Sequence, residues 1–189
     1  EAAGALAMDR DARSGSNRYT VDPARAGNPA GKPRRRLSVP SALRPMTSGS
    51  TVLVTGGAGY IGSHTVRALR AAGRDVVVLD SLELGDAEAV IDAPLVVGNI
   101  TDRDLVIDTC RQHGVGQVVH FAAYKSVGES MEHAAKYWRN NVAGSVELIE
   151  ACLEARVHDI VFSSSCSVYG TPDVVPVVES ESIKPESVY

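Results

Sequence analysis

The sequence predicts an α/β fold built on a doubly wound parallel sheet, and three observations predict it. Short apolar, β-branched runs at 51–55, 75–80, 94–98, 116–122 and 158–163 have the length and composition of buried strands. Helical patterns at 60–72, 102–113 and 130–155 fall between them. Glycines at 56, 59 and 62 close the first strand and open the first helix. Alternation at this pitch implies right-handed crossovers and a sheet covered on both faces.

The first strand–glycine–helix unit organises the rest. A helix start carries unpaired N–H donors and the positive end of a dipole, so a pyrophosphate is favoured there. Gly56 permits a tight turn, Gly59 lets the backbone approach a ligand, and Gly62 lets the helix sit close to the sheet. The spacing is G-x-x-G-x-x-G, which alone is also the spacing of a loop that needs glycines only for its turns. The second strand supplies the context. It ends in Asp80, about 20 residues past the glycines, where a carboxylate meets a ribose diol. Asp80 would repel a 2′-phosphate, which favours NAD over NADP. A strand-end turn residue is the other reading of Asp80.

The fourth strand ends in His120-Phe121-Ala122-Ala123-Tyr124-Lys125, whose small residues let a cofactor lie against backbone. His120 itself reads as a satisfied core residue. The third helix is expected to bend around Asn140-Asn141, with Ala143, Val146, Ile149, Ala151 and Leu153 giving it a partly apolar face. The fifth strand runs into Ser163-Ser164-Ser165, either a polar turn or a site. An irregular stretch with prolines at 172, 176 and 185 then leads to Tyr189. Ligands in such sheets lie across the carboxyl ends of the strands, and every motif singled out falls at such an end.

Residues 1–45 lack sustained periodicity and read as a disordered or leader-like extension, with residues 51–189 as the folded domain. Arg34-Arg35-Arg36 suggests a twin-arginine or transit signal, but the apolar segment after it is short and broken. Met46, five residues before the first strand, is a natural start for the domain. Residues 1–50 hold nine basic and four acidic residues; the remainder holds ten and nineteen. The domain is therefore acidic, which argues against nucleic acid as a partner. No apolar run approaches the ~20 residues of a membrane span. Cys110, Cys152 and Cys166 have no metal-ligand spacing and read as free thiols of a reducing, cytoplasmic compartment, with Cys152 in the core. No His/Cys/carboxylate cluster suggests a metal.

Four segments together resemble the extended short-chain dehydrogenase/reductase family, and within it the UDP-glucose 4-epimerases. They begin at Thr55 (Thr-Gly-Gly-Ala-Gly-Tyr-Ile-Gly-Ser-His), His120 (His-Phe-Ala-Ala-Tyr-Lys-Ser-Val-Gly-Glu-Ser), Tyr137 (Tyr-Trp-Arg-Asn-Asn-Val-Ala-Gly) and Phe162 (Phe-Ser-Ser-Ser-Cys-Ser-Val-Tyr-Gly). The second is the most specific. The resemblance covers essentially all of 51–189 and implies a Rossmann-type domain cut off before a C-terminal substrate domain. It implies NAD as cofactor, a UDP-sugar as substrate and a homodimer at full length. Gly56, Gly59 and Gly62 would form the phosphate turn, with Tyr60 and Ile61 against the pyrophosphate and Asp80 on the ribose. Asn99 and Ile100 would meet the adenine. Phe121, Ala122, Ala123, Tyr124, Lys125 and Asn140 would line the nicotinamide side, with Lys125 also near the substrate.

The resemblance also names a catalytic pair. Ser165 would bond the sugar hydroxyl, and Tyr189 would be the base of a Tyr-x-x-x-Lys motif whose lysine would fall past the last residue here. A tyrosine, with an ordinary pKa near 10, becomes a base near neutrality only beside positive charge. Two departures stand out. Gly98-Asn99-Ile100 replaces the usual Gly-Asp-Ile, although asparagine can both accept and donate at adenine. The loop 81–86 is short, so fewer adenosine contacts are expected. Three readings remain: a 4-epimerase fragment inactive and poorly stable by itself; a related nucleotide-sugar dehydratase or decarboxylase; and a non-catalytic dinucleotide-binding module. Dehydratases would need an acid pair where Cys166 and Ser167 stand.

Overall fold

The computed structural model describes Asp9–Arg10, Asn17–Arg18 and residues 50–189. The two short segments pair antiparallel. The readings of an unfolded extension, an arginine signal and a start at Met46 otherwise lie outside the described residues.

Five parallel strands form the sheet: β1 (Thr51–Thr55), β2 (Val76–Asp80), β3 (Leu95–Val97), β4 (Val115–His120) and β5 (Asp159–Phe162). Their order is β3-β2-β1-β4-β5. The chain therefore crosses from β3 back over β1 to β4, which puts the topological switch at the carboxyl end of β1. β1 is buried on both faces, and its alternation divides the core in two. Leu53 joins Val77, Leu79, Val106, Cys110, Val118, Leu148 and Cys152 on one side. Val52 and Val54 join Val66, Val76 and Val78 on the other.

Helix α1 (Tyr60–Ala71) covers the second cluster, α2 (Arg103–Gln112) and α5 (Gly144–Glu154) the first. The Asp102 carboxylate caps α2 by accepting from the Leu105 N–H at 3.1 Å. Arg103 donates to Glu150 at 2.7 Å and Glu154 at 2.9 Å, tying α2 to α5. The bridge is solvent-facing and adds little stability. Cys110 and Cys152 face each other between these helices, where the Cys152 thiol donates to Cys110 and lowers its pKa.

The expected single helix over 130–155 is a series instead. It comprises α3 (Val127–Glu132), α4 (Ala134–Tyr137), a π-helical turn (Trp138–Ala143) and α5. His133, at φ −123°, breaks the first junction. The bend expected at Asn140-Asn141 is the widened π turn. The apolar face also divides: Leu148, Ala151 and Cys152 are buried, while Val142, Val146, Ile149 and Leu153 form an exposed stripe.

His120 ends β4 and is 4% exposed. Its Nδ1 lies 2.6 Å from Thr55 Oγ1 and its Nε2 3.0 Å from Ser145 Oγ. Ser145 Oγ donates to the Asn141 carbonyl at 2.6 Å. It therefore accepts from Nε2–H, and Thr55 donates to Nδ1. This is the satisfied core histidine that the sequence suggests. Burial pushes its pKa from 6.5 down to about 4. The unfolded chain then binds the extra proton between those values. His120's contribution is complete above pH 6.5 and is lost as the pH falls to about 4, by at most about 3 kcal/mol. Urea midpoints at pH 7 and pH 4.5 should differ less in His120→Asn than in the native chain. An equal pH slope in both would contradict this assignment.

Candidate active site

At the carboxyl end of β1 the backbone turns at Gly56, with φ +69°. A Cβ there would lie 2.7 Å from the Ala122 nitrogen and 2.8 Å from the Phe121 carbonyl carbon. The turn thus packs directly on the chain leaving β4. A Cβ on Gly62 would lie 2.1 Å from the Gly56 oxygen and 2.8 Å from Gly57 Cα. Gly62 is required by this turn rather than by the sheet. Gly59 differs from both. It sits at φ −77°, ψ 172°, open to any residue, and its Cβ would meet only the Gly56 oxygen at 3.3 Å. The space beside Gly59 is open groove. No side chain caps α1, so no side-chain cap occupies its first-turn amides.

The groove has a volume of about 510 Å³, within the range of small-molecule sites. It runs along the strand ends. Its lining includes Gly56, Gly59, Tyr60, Ile61 and Gly62 of the glycine turn together with Asp80, Asn99 and Ile100. Phe121, Ala122, Ala123, Tyr124, Lys125 and Asn140 line it too, as do Ser165 and Tyr189. Every candidate residue named from the sequence borders this one cavity.

Local bonds fix several of them. Asp80 Oδ2 accepts from the Ala58 N–H and Oδ1 from the Leu82 N–H, both at 2.9 Å. It therefore organises the turns around the groove while lining it. Asn99 Oδ1 accepts from both the N–H and the hydroxyl of Thr101 at 3.0 Å. That spends its accepting capacity, so Asn99 offers a ligand its amide donors, not both functions. Ser165 Oγ accepts from the Ser167 N–H at 3.2 Å. The Tyr189 N–H donates to Ser130 Oγ at 3.3 Å, and its ring meets the buried Tyr137 ring edge-on at 6.5 Å.

Other residues of the site escape sequence reasoning. Asn141 accepts from the Tyr124 N–H and donates to the Tyr124 carbonyl, both at 2.9 Å, pinning the chain after β4. The π turn brings Asn140 to the groove beside it, a placement common at functional sites. The loop 81–86 lines the groove despite its shortness, through Ser81, Glu83, Leu84 and Gly85. A Cβ on Gly85 would lie 2.8 Å from Asp80 Oδ1, so only glycine lets the loop close on that carboxylate. Glu83 accepts from the Tyr124 hydroxyl, which raises the Tyr124 pKa above the ordinary range. The doublet at 140–141 was a visible signal; nothing local announces Glu83.

Residues 52–189 match the NAD dependent epimerase/dehydratase family. The chain belongs to that family. Family relatives include a UDP-glucose 4-epimerase of Yersinia enterocolitica, 44% identical over 141 residues, covering 70% of this chain and 42% of the relative. One from Azospirillum brasilense is 46% identical over 139 residues, covering 73% and 40%. Among solved epimerase/dehydratase structures, the Brucella ovis UDP-glucose 4-epimerase in complex with NAD superposes with a TM-score of 0.72. It is 44% identical, over 74% of this chain and 43% of that one. The Stenotrophomonas maltophila enzyme with NAD and formylated UDP-arabinopyranose gives 0.72 at 41% identity, over 74% and 44%. The chain thus spans about two-fifths of the length of these relatives. Among the described residues no helix is long and apolar enough to cross a membrane, and no cluster of His, Cys, Asp and Glu could hold a metal ion.

Proposed function

We propose that this chain is the NAD-binding part of a UDP-glucose 4-epimerase. The observation that carries the reading is the single groove joining the glycine turn to Ser165 and Tyr189. The residues fit the cofactor. Gly56 and Gly62 are glycines for reasons internal to the protein, whereas Gly59 leaves room that only a ligand would use. First-turn amides of α1 and the glycine backbone would hold the pyrophosphate, Asp80 the ribose diol and Asn99 the adenine edge. Phe121–Lys125 backbone and Asn140 would flank the nicotinamide.

Bound NAD would take hydride from C4 of the sugar and return it. Tyr189 would remove the 4-hydroxyl proton and give it back, its phenolate stabilised by nearby positive charge. Ser165 would hold the same oxygen in line. Lys125 would add a cation at that end of the groove. A dehydratase reading lacks an acid pair next to Ser165, where Cys166 and Ser167 follow.

The reading extends to assembly. The exposed Val142, Val146, Ile149 and Leu153 lie at i, i+4, i+7 and i+11 on one helical face, which would pack on its counterpart in a homodimer. One set of measurements tests both parts. The 189-residue chain should enhance NADH fluorescence yet leave UDP-galactose unconverted, while the full-length protein forms UDP-glucose. Sedimentation of the full-length protein should give a dimer that Ile149→Asp dissociates. Absence of NADH binding defeats the cofactor reading. Binding without conversion by the full-length protein would favour a non-catalytic module. A dimer untouched by the charge would place the interface elsewhere.

A further inference from the structure

The loop after β2 and the loop after β4 flank the carboxyl end of β1, because β2 and β4 are its two neighbours in the sheet. The two loops meet. The Tyr124 hydroxyl donates to the Glu83 carboxylate across 41 residues of sequence. Lys136 Nζ lies 4.1 Å from the centroid of the Tyr124 ring and 4.0 Å from Glu83 Oε1. Lys136 is itself fixed by Glu129 at 2.8 Å, and Glu129 accepts from the Tyr137 hydroxyl at 2.8 Å. Tyr137 is 1% exposed, so the chain of contacts ends in the core.

We propose that Glu83, Tyr124 and Lys136 form a strap across the groove that gates the entry and exit of the dinucleotide. This inference rests on the reading of the groove as an NAD site. The topology supports it: both loops line the groove, and the glycine turn lies between them. A ligand seated on that turn passes between the strapped loops. Each anchor is also rigid where it should be. Asn141 holds Tyr124 by both backbone groups, and Asp80 holds the start of the other loop through the Leu82 N–H. The Tyr124–Glu83 bond is the movable joint, a charge-assisted hydrogen bond near solvent. Breaking it releases the middle of the loop at Glu83, while the Leu82 and Asp86 N–H groups stay anchored to the Asp80 carboxylate and the Ala58 carbonyl.

A gate acts in both directions, whereas a direct ligand contact acts on release. Stopped-flow NADH fluorescence on the 189-residue chain separates them. Tyr124→Phe keeps the ring under Lys136 and removes the donor. Glu83→Ala removes the acceptor from the other loop. Each should raise both kon and koff about fivefold, the size expected of one exposed charged hydrogen bond, and Glu83→Ala should shift Kd less than twofold. The double variant should match Glu83→Ala, which already cuts the Tyr124 bond together with the Lys136 contact. Glu83 is exposed, so its variant serves even if substitution at Tyr124 disturbs folding. A rise in koff alone would make these residues plain ligand contacts and overturn the gate. Unchanged rates would also overturn it, with the cofactor reading intact. Absence of NADH binding to the native chain would take down both.

Discussion

Gly62→Ala will unfold or severely destabilise the domain, whereas Gly59→Ala will leave it folded and weaken the proposed NAD binding. The two glycines are three residues apart in one motif, yet their surroundings are opposite. At Gly62 a methyl group would sit 2.1 Å from a backbone oxygen and 2.8 Å from a backbone Cα. Neither neighbour can rotate away, so the turn and α1 must separate. A loss of at least about 3 kcal/mol is expected, in the range of overpacked cores. At Gly59 the backbone is extended and the nearest atom is 3.3 Å from the added methyl. The Gly56 oxygen must give by a few tenths of an ångström, far less than at Gly62, and the less flexible unfolded chain offsets part of that cost. The methyl projects instead into the proposed pyrophosphate position, for an expected affinity loss of at least about tenfold, or 1.4 kcal/mol. Denaturant melts paired with NADH titrations check both. Equal stability losses in the two variants would refute the distinction, and so would native NADH affinity in Gly59→Ala.

The second large effect is catalytic and belongs to the full-length protein. Tyr189→Phe should lower kcat about 10²- to 10⁴-fold, the usual contribution of a positioned acid–base group. Substrate KM should change little, because in the proposed role the hydroxyl would act on a proton in flight. Folding should survive. The contacts that seat Tyr189 are its backbone N–H on Ser130 and its ring edge on Tyr137, and phenylalanine keeps both. Ser165→Ala should also lower kcat, by less, since in the proposed role Ser165 would align the oxygen without taking its proton. NADH binding should persist in both variants. A tyrosine variant with near-native kcat would remove Tyr189 from the mechanism.

Much of this was legible in the chain because it is local. Val52–Val54 and Val76–Leu79 are unbroken apolar runs, and such runs become strands buried on both faces. Gly56, Gly59 and Gly62 reported the turn, and the acid closing the next strand reported the rim. The reason for Gly62 was not legible, since the atoms it must avoid lie across a turn whose shape the spacing does not fix. The 130–155 segment carries one continuous helical pattern, but His133 and the π turn interrupt it for tertiary reasons. Asn141 makes two bonds to the Tyr124 backbone and Asn140 lines the groove, which a regular α-turn would separate by 100°. The split of α5 into a buried and an exposed apolar stripe depends on what α2 covers. The Glu83–Tyr124–Lys136 contacts join residues distant in sequence, and no periodicity encodes them.

The central claim is that one groove holds NAD with its nicotinamide end against Ser165 and Tyr189. A crystal structure of this chain grown with NAD tests it most directly. Pyrophosphate oxygens should lie within roughly 3 Å of the first amides of α1, with the adenosine ribose on Asp80 and both hydroxyls turned toward the nicotinamide ring. A dinucleotide bound in another place, or bound here with Ser165 and Tyr189 directed away from that ring, would contradict it.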